Sequence, residues 1–279
     1  MLKKIIMLCV VASIAFAGDF ENGVKAFDKK QYQSALQNFS KACEHGKADG
    51  CGNAGLIYKQ GYGMMQDSSK AAVFYTKACE LGYSERCSSL GIMYISGDGV
   101  TKNHDEAIRL FTKACDANNA NGCFNLGFGY IKGDIVEQDS AKAKPLFEKA
   151  CILGHFDAYS KLGSMYNDGD GVEQNQFKAI ELFTKACNGG SAMGCSNLGL
   201  MYLNGSGIKQ NSSKAAELCA KACNGGNDVG CFNLGVMYYN GEGVKQSDKL
   251  ALKYLGMACD MKYEDGCKNY ATVKKELGK

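Results

Sequence analysis

Two residue types recur in this chain at spacings that could do chemistry: cysteine and asparagine. There are fifteen cysteines in 279 residues. Cys43, Cys79, Cys115, Cys151, Cys187, Cys223 and Cys259 repeat every 36 residues, and Cys51, Cys87, Cys123, Cys195, Cys231 and Cys267 follow eight residues behind. Tyr159 stands where the second series skips a place. Such thiols could pair, bind zinc or act as nucleophiles. Zinc takes four clustered ligands, usually with short Cys-x-x-Cys spacings. Seven intervening residues, and three histidines (His45, His104, His155) in different repeats, do not supply that; no metal or other cofactor is expected. A nucleophilic thiol needs exposure and a lowered pKa, and the pattern signals neither. Disulfides remain as the expected chemistry, provided the compartment is oxidising.

The N-terminus bears on the compartment. Lys3 and Lys4 precede an uncharged apolar run from Ile5 to Phe16, and Ala15-Phe16-Ala17 is a small-x-small cleavage site. This order predicts a signal peptide over 1–17, cut after Ala17, and hence a secreted or periplasmic protein. Cys9 falls within this leader. The run is shorter than the ~20 residues a spanning helix needs, so no membrane span is expected in the mature chain. Removing the leader takes two lysines and no acid, leaving 262 residues with a net charge of +1. That balance gives no reason to expect nucleic acid, which requires a clustered basic surface.

The elements that position the cysteines follow from the same period. Leu90-Gly91…Tyr94 recurs as Leu126-Gly127…Tyr130, Leu162-Gly163…Tyr166, Leu198-Gly199…Tyr202 and Leu234-Gly235…Tyr238. With the preceding cysteine this makes one buried helical stripe, predicting a first helix over about 88–96. Ala107, Phe111 and Ala114, with relatives such as Ala71/Tyr75/Ala78 and Ala179/Phe183/Ala186, make a second. Gly97-Asp98-Gly99 and its counterparts stop the first helix. Asp67, Asn103, Asp139, Asn175, Asn211 and Ser247 are placed to cap the second. Glycine inside the first helix costs about 0.5–1 kcal/mol against alanine, so its recurrence predicts close helix approach. No such pair buries both stripes alone, and stacked pairs do. The segment Phe20–Cys43 supplies an opening pair, with Ala35, Phe39 and Ala42 on its second helix; the polar tail from about 268 caps the other end.

Leu-Gly-x-x-Tyr followed by Gly-x-Gly-Val and Lys-Ala resembles the Sel-one-like repeat, a relative of the tetratricopeptide repeat. With its cysteine pairs and leader, the chain resembles the Helicobacter cysteine-rich protein family over residues 20–279. The resemblance implies an all-α, right-handed α/α superhelix: a single solenoid over 18–279 of about seven disulfide-clipped helix pairs. It also implies a β-lactamase or penicillin-binding activity. Serine β-lactamases use Ser-x-x-Lys with Ser-Asp-Asn and Lys-Thr-Gly. Here Ser206-Gly207-Ile208-Lys209 is the one Ser-x-x-Lys, in an inter-helix turn, and the other two elements are absent. Catalytic residues are therefore not assigned, and an enzymatic role rests on the resemblance alone.

In each pair the first cysteine closes one helix and the second opens the next. Antiparallel neighbours bring such residues within the Cα separation a disulfide needs, about 4.4–6.8 Å. The expected bridges are Cys43–Cys51, Cys79–Cys87, Cys115–Cys123, Cys187–Cys195, Cys223–Cys231 and Cys259–Cys267. Cys151, which lacks a partner, and Cys219, which occupies a core position held by phenylalanine elsewhere, are expected as buried free thiols. Around Cys151 the repeat departs further: Ile135 replaces a turn glycine, and Pro145, the only proline, lies about six residues into a helix. A kink or softer joint is expected near 133–160.

Asn53, Asn125, Asn197, Asn233 and Asn269 recur near the start of the first helix, with Ser89 and Lys161 in the two remaining places. The position resembles the one that grips a ligand's backbone in peptide-binding tetratricopeptide domains. An amide both donates and accepts, but a buried amide also needs structural partners, and both readings stand. Beside it run Ile92, Phe128, Leu200 and Val236, then Met93, Met165, Met201 and Met237, read either as an adaptable binding surface or as packing core. Three functions follow as expectations: a monomeric scaffold binding a peptide or protein, a weak β-lactamase or penicillin-binding protein, or a structural envelope protein.

Overall fold

A computed structural model describes residues 18–278; the signal peptide expected over 1–17 lies outside the described residues. Among the described residues there are fifteen helices and no strand. They are α1 (18–28), α2 (Tyr32–Glu44), α3 (Ala48–Gln60), α4 (Ser68–Glu80), α5 (Ser84–Ser96), α6 (His104–Asp116), α7 (Ala120–Lys132), α8 (Ser140–Ile152), α9 (Phe156–Asp168), α10 (Gln176–Asn188), α11 (Ala192–Asn204), α12 (Ser212–Asn224), α13 (Asp228–Asn240), α14 (Asp248–Asp260) and α15 (Glu264–Glu276). The chain forms two compact units, α1–α7 up to Asp139 and α8–α15 from Ser140. The boundary falls inside the stretch 133–160 that the sequence marks as irregular.

Within each unit every helix packs on its sequence neighbour. Odd-numbered helices also touch one another: α5 with α7 in the first unit, and α9 with α11, α11 with α13 and α13 with α15 in the second. The even-numbered helices approach one another less closely, so the odd helices form the inner layer of each unit.

Local chemistry sets these boundaries. Asp67, Asn103, Asn175, Asn211 and Ser247 accept a hydrogen bond from the backbone N–H three residues on, satisfying a donor that the helix start leaves open. Gly61, Gly97, Gly133, Gly169, Gly205 and Gly241 end the odd helices in the left-handed conformation. The odd helices begin about four residues before the expected start: α5 opens at Ser84 rather than near 88. Cys87 and its relatives therefore lie in the first turn of the helix, facing the cysteine that closes the preceding one.

The recurrent helical glycine has a side-chain explanation. A methyl group on Gly91 would lie 2.6 Å from the Phe111 ring, and one on Gly163 would lie 2.7 Å from Phe183. The aromatic ring of the following helix occupies the space beside the glycine, and it is fully or nearly fully buried there. The core is thus an alternation of small and large groups between successive helices, exemplified by Ala107, Phe111 and Ala114, each wholly buried.

Six disulfides close the seams: Cys43–Cys51, Cys79–Cys87, Cys115–Cys123, Cys187–Cys195, Cys223–Cys231 and Cys259–Cys267, with Cα separations of 4.4 to 4.7 Å. Each joins an even helix to the odd helix that follows it. On a chain-entropy account a loop this short contributes about 2.5 kcal/mol.

The irregular repeat is accommodated by exchange. Gly129 stands where four other odd helices carry Met93, Met165, Met201 and Met237, and Ile135 stands six residues later, where those helices are followed by Gly99, Gly171, Gly207 and Gly243. The Ile135 side chain, 8% exposed, fills the space over Gly129: a methyl group there would meet its Cδ1 at 2.6 Å. Ile135 does not adopt the left-handed conformation of Gly99 and Gly171. Pro145 is exposed, and α8 continues through it from Ser140 to Ile152.

A candidate binding groove on the odd-helix face

Asn53, Asn125, Asn197, Asn233 and Asn269 sit half-buried on α3, α7, α11, α13 and α15. The structure divides them. Asn125 donates from Nδ2 to Ser88 Oγ at 3.2 Å, and Asn197 donates to Ser160 Oγ at 3.3 Å and Ser164 Oγ at 3.5 Å. Ser88 and Ser160 are buried on the preceding odd helix, so these amides tie neighbouring repeats together. The equivalent pair at the next seam, Ser196 and Asn233, forms no such bond: Ser196 Oγ and Asn233 Nδ2 are both buried and unpaired. Asn269 faces no serine, because the matching place one repeat earlier holds Phe232.

The apolar neighbours separate as well. Ile92 is 52% exposed, and Phe128, Leu200 and Val236 are half-buried on the open face. Met93, Met165, Met201 and Met237 are no more than 5% exposed. Of the two readings the packing core holds: one residue along a helix is a 100° turn, which carries the methionines inward, and Met201 alone of the four also lines the floor of a groove, the one between α9 and α11.

Two grooves open between adjacent odd helices of the second unit. The larger, about 570 Å³, lies between α9 and α11. Ser164, Asn167, Asp168, Asn197, Asn204 and Ser206 supply polar groups over a floor that includes Leu200 and Phe183. The smaller, about 260 Å³, lies between α13 and α15, where Tyr239, Asn240, Asn269, Thr272 and Glu276 surround Val236, Leu255 and Val273. Tyr239 donates its hydroxyl to the Glu276 carboxylate across this groove, and that bond raises the Tyr239 pKa. Asn204 and Asn240 were not singled out from the sequence. Their signal was available: each lies seven residues, two helical turns, after Asn197 or Asn233, and so on the same face.

Other residue chemistry is inert in form. Ser206 lies in the turn after α11, while Lys209 is exposed, and no hydrogen bond joins the two. Cys151 and Cys219 are buried free thiols. Burial, reinforced by Glu148, pushes the Cys151 pKa up to about 12, and burial pushes that of Cys219 up to about 11; thiolate nucleophilicity requires the opposite shift. Cys219 Sγ rests against Gly199, taking the place of a phenylalanine ring. No group of three His, Cys, Asp or Glu residues among those described is placed to hold a metal ion. No helix among them is long and apolar enough to cross a membrane. The six disulfides belong to an oxidising compartment.

Seven consecutive segments match the family described as Sel1 repeat: residues 15–47, 48–83, 87–119, 120–155, 156–191, 192–227 and 229–263. Comparison with curated proteins gave no match. Among solved structures, the chain is similar to c5321, a protective antigen of uropathogenic Escherichia coli with an SLR fold. The TM-score is 0.74 at 24% identity, over 95% of this chain and 58% of that one. The chain thus spans little more than half the length of that antigen. It is also similar to a Sel1 repeat protein from Oxalobacter formigenes, with a TM-score of 0.80 at 28% identity, over 86% of this chain and 99% of the other. Similarity to Helicobacter pylori cysteine-rich protein B is 34% identity over 49% of this chain and 98% of that one, with a TM-score of 0.39.

Proposed function

Because this chain belongs to the Sel1 repeat family, we propose that it is an exported scaffold that holds a polypeptide partner against the odd-helix face of its repeats. The observation that carries this reading is the α9–α11 groove, where neutral hydrogen-bonding side chains and one carboxylate, Asp168, converge above an apolar floor. A groove of this composition suits a main chain: amides meet its N–H and C=O groups, and half-buried Leu200 receives a side chain. The exposed Ile92 and half-buried Phe128 give the first unit an apolar counterpart. The leader read in 1–17 and the six disulfides support export.

The test is a pull-down from envelope and culture-medium fractions, with crosslinking, using the mature oxidised protein and an Asn167→Ala/Asn204→Ala variant. Neither residue of the pair supports the Asn–Ser seams, so the fold is expected to survive, as circular dichroism would verify. A partner retained by the wild type and lost by the variant supports the reading. Partners that bind both proteins equally, or none at all, would sink it.

A further inference from the structure

The charge lining the second unit's grooves limits what can occupy them. Among the described residues no Lys, Arg or His lines either groove, and each groove carries one carboxylate: Asp168 between α9 and α11, Glu276 between α13 and α15. The remaining polar groups are neutral. A ligand carboxylate entering these grooves would lose water without gaining a cation, which is costly. A ligand lysine or arginine would meet a carboxylate. The first unit is different: the places matching Ser164, Leu200, Val236 and Thr272 are Leu56, Ile92 and Phe128, and the Lys132 ammonium lies 5.1 Å from the Phe128 ring centre.

We infer that the second unit binds an internal, basic stretch of a polypeptide, held in extended form across α9, α11, α13 and α15, and not a chain end presenting its carboxylate. The inference rests on the proposed polypeptide-binding function and specifies the ligand. Its register follows from packing. Neighbouring helices lie about 8–10 Å apart, and an extended chain rises about 3.3 Å per residue, so one repeat spans about three ligand residues. Asn197 and Asn269, with Asn204 and Asn240 at the same position as the two carboxylates, line the grooves along this register and meet the backbone. Asp168 and Glu276 occupy the same helical position on α9 and α15, three intervals apart. Two basic ligand residues about eight positions apart then reach both carboxylates.

The experiment uses fluorescence anisotropy with the mature oxidised protein and 16-residue peptides of Ser, Asn, Thr and Val. One set carries two lysines eight residues apart, one carries two glutamates there, and one is uncharged; each is made as free acid and as amide. The lysine peptides are expected to bind tightest, with acid and amide forms within about twofold. Asp168→Asn/Glu276→Gln should weaken them about three- to tenfold, the range of partly exposed ion pairs, and leave the uncharged peptides unchanged. Preference for glutamate, dependence on a free carboxylate, or indifference to the double variant would overturn the inference while leaving polypeptide binding intact. Binding of an N-acetylglucosamine hexamer that Asn204→Ala abolishes, with no peptide bound, would overturn both.

Discussion

Tyr159→Cys should create a seventh clip. Cys151 closes α8 at the position occupied by the first cysteine of every bridge, and residue 159 lies eight positions on, the separation of all six existing bridges. Those bridges hold their Cα atoms 4.4 to 4.7 Å apart, and the same helix–turn–helix surrounds 151 and 159. Closing a loop of this length removes about 2.5 kcal/mol of unfolded-state entropy. Against this stands the loss of the Tyr159 ring, which stacks on Phe156 with centroids 6.3 Å apart; such a pair contributes about 0.5–1.5 kcal/mol. The net expectation is about 1–2 kcal/mol of stabilisation, or roughly 3–6 °C in Tm for a unit of this size. Thiol counting after denaturation should fall from two free thiols to one, Cys219. Native protein should show no rapidly reacting thiol in either case, since both wild-type thiols are buried. Heating with and without reductant isolates the bridge. Failure of the bridge to form under oxidising refolding would refute the equivalence of this seam with the others. A bridge that forms without raising Tm would refute the entropic magnitude.

Three further outcomes are expected. Gly129→Met should lose about 2 kcal/mol or more by collision with Ile135, Ile135→Gly should lose a similar amount through the cavity it leaves, and the double variant should recover at least about 1 kcal/mol in a urea-monitored cycle; strict additivity would mean the two do not compensate. Ser160→Ala removes the shorter of the two hydrogen bonds of the Asn197 amide, leaving Ser164 at 3.5 Å, and should cost about 1 kcal/mol, whereas Ser196→Ala removes a hydroxyl that is already unpaired and should be neutral or stabilising; equal costs would contradict the difference between the seams. Burial holds the His155 pKa below its usual 6.5, and the neutral ring accepts the Ala158 N–H at the start of α9. The folded state then binds fewer protons than the unfolded state just below pH 6.5, so stability should be full above that pH and fall as pH drops beneath it; His155→Asn, which caps without titrating, should flatten the urea midpoint between pH 7 and 5, and an unchanged slope would count against this.

Most of the scaffold is legible in the sequence because it depends on local rules repeated seven times. Asn103 and its relatives are caps, Gly97 and its relatives are stops, and cysteines eight apart across a turn can only meet if the helices are antiparallel. What escapes is set by side-chain contact between repeats. The Gly129–Ile135 exchange reads as two defects until the isoleucine is seen lying over the glycine. The asparagine series reads as one site, yet Asn125 and Asn197 are bonded to serines one repeat away, Asn233 is unpaired and Asn269 lines a groove. The methionines read as neighbours of that face, and a single 100° step buries them. The acidic register of Asp168 and Glu276 requires knowing which helices adjoin.

The placement of the bridges has a mechanical consequence. Each joins the end of one helix pair to the start of the next, so a chain pulled from its ends surrenders about 28 residues of slack per 36-residue repeat, the rest being short-circuited by the bridge. That is about 100 Å of extension per repeat, against about 125 Å where no bridge exists, at roughly 3.5 Å per residue. The seam at Cys151 is the one interval between bridged cysteines that yields its full length. Under tension or local unfolding, the oxidised protein behaves as two short tethered strings joined by a longer, compliant span, and reductant converts it to a uniform one.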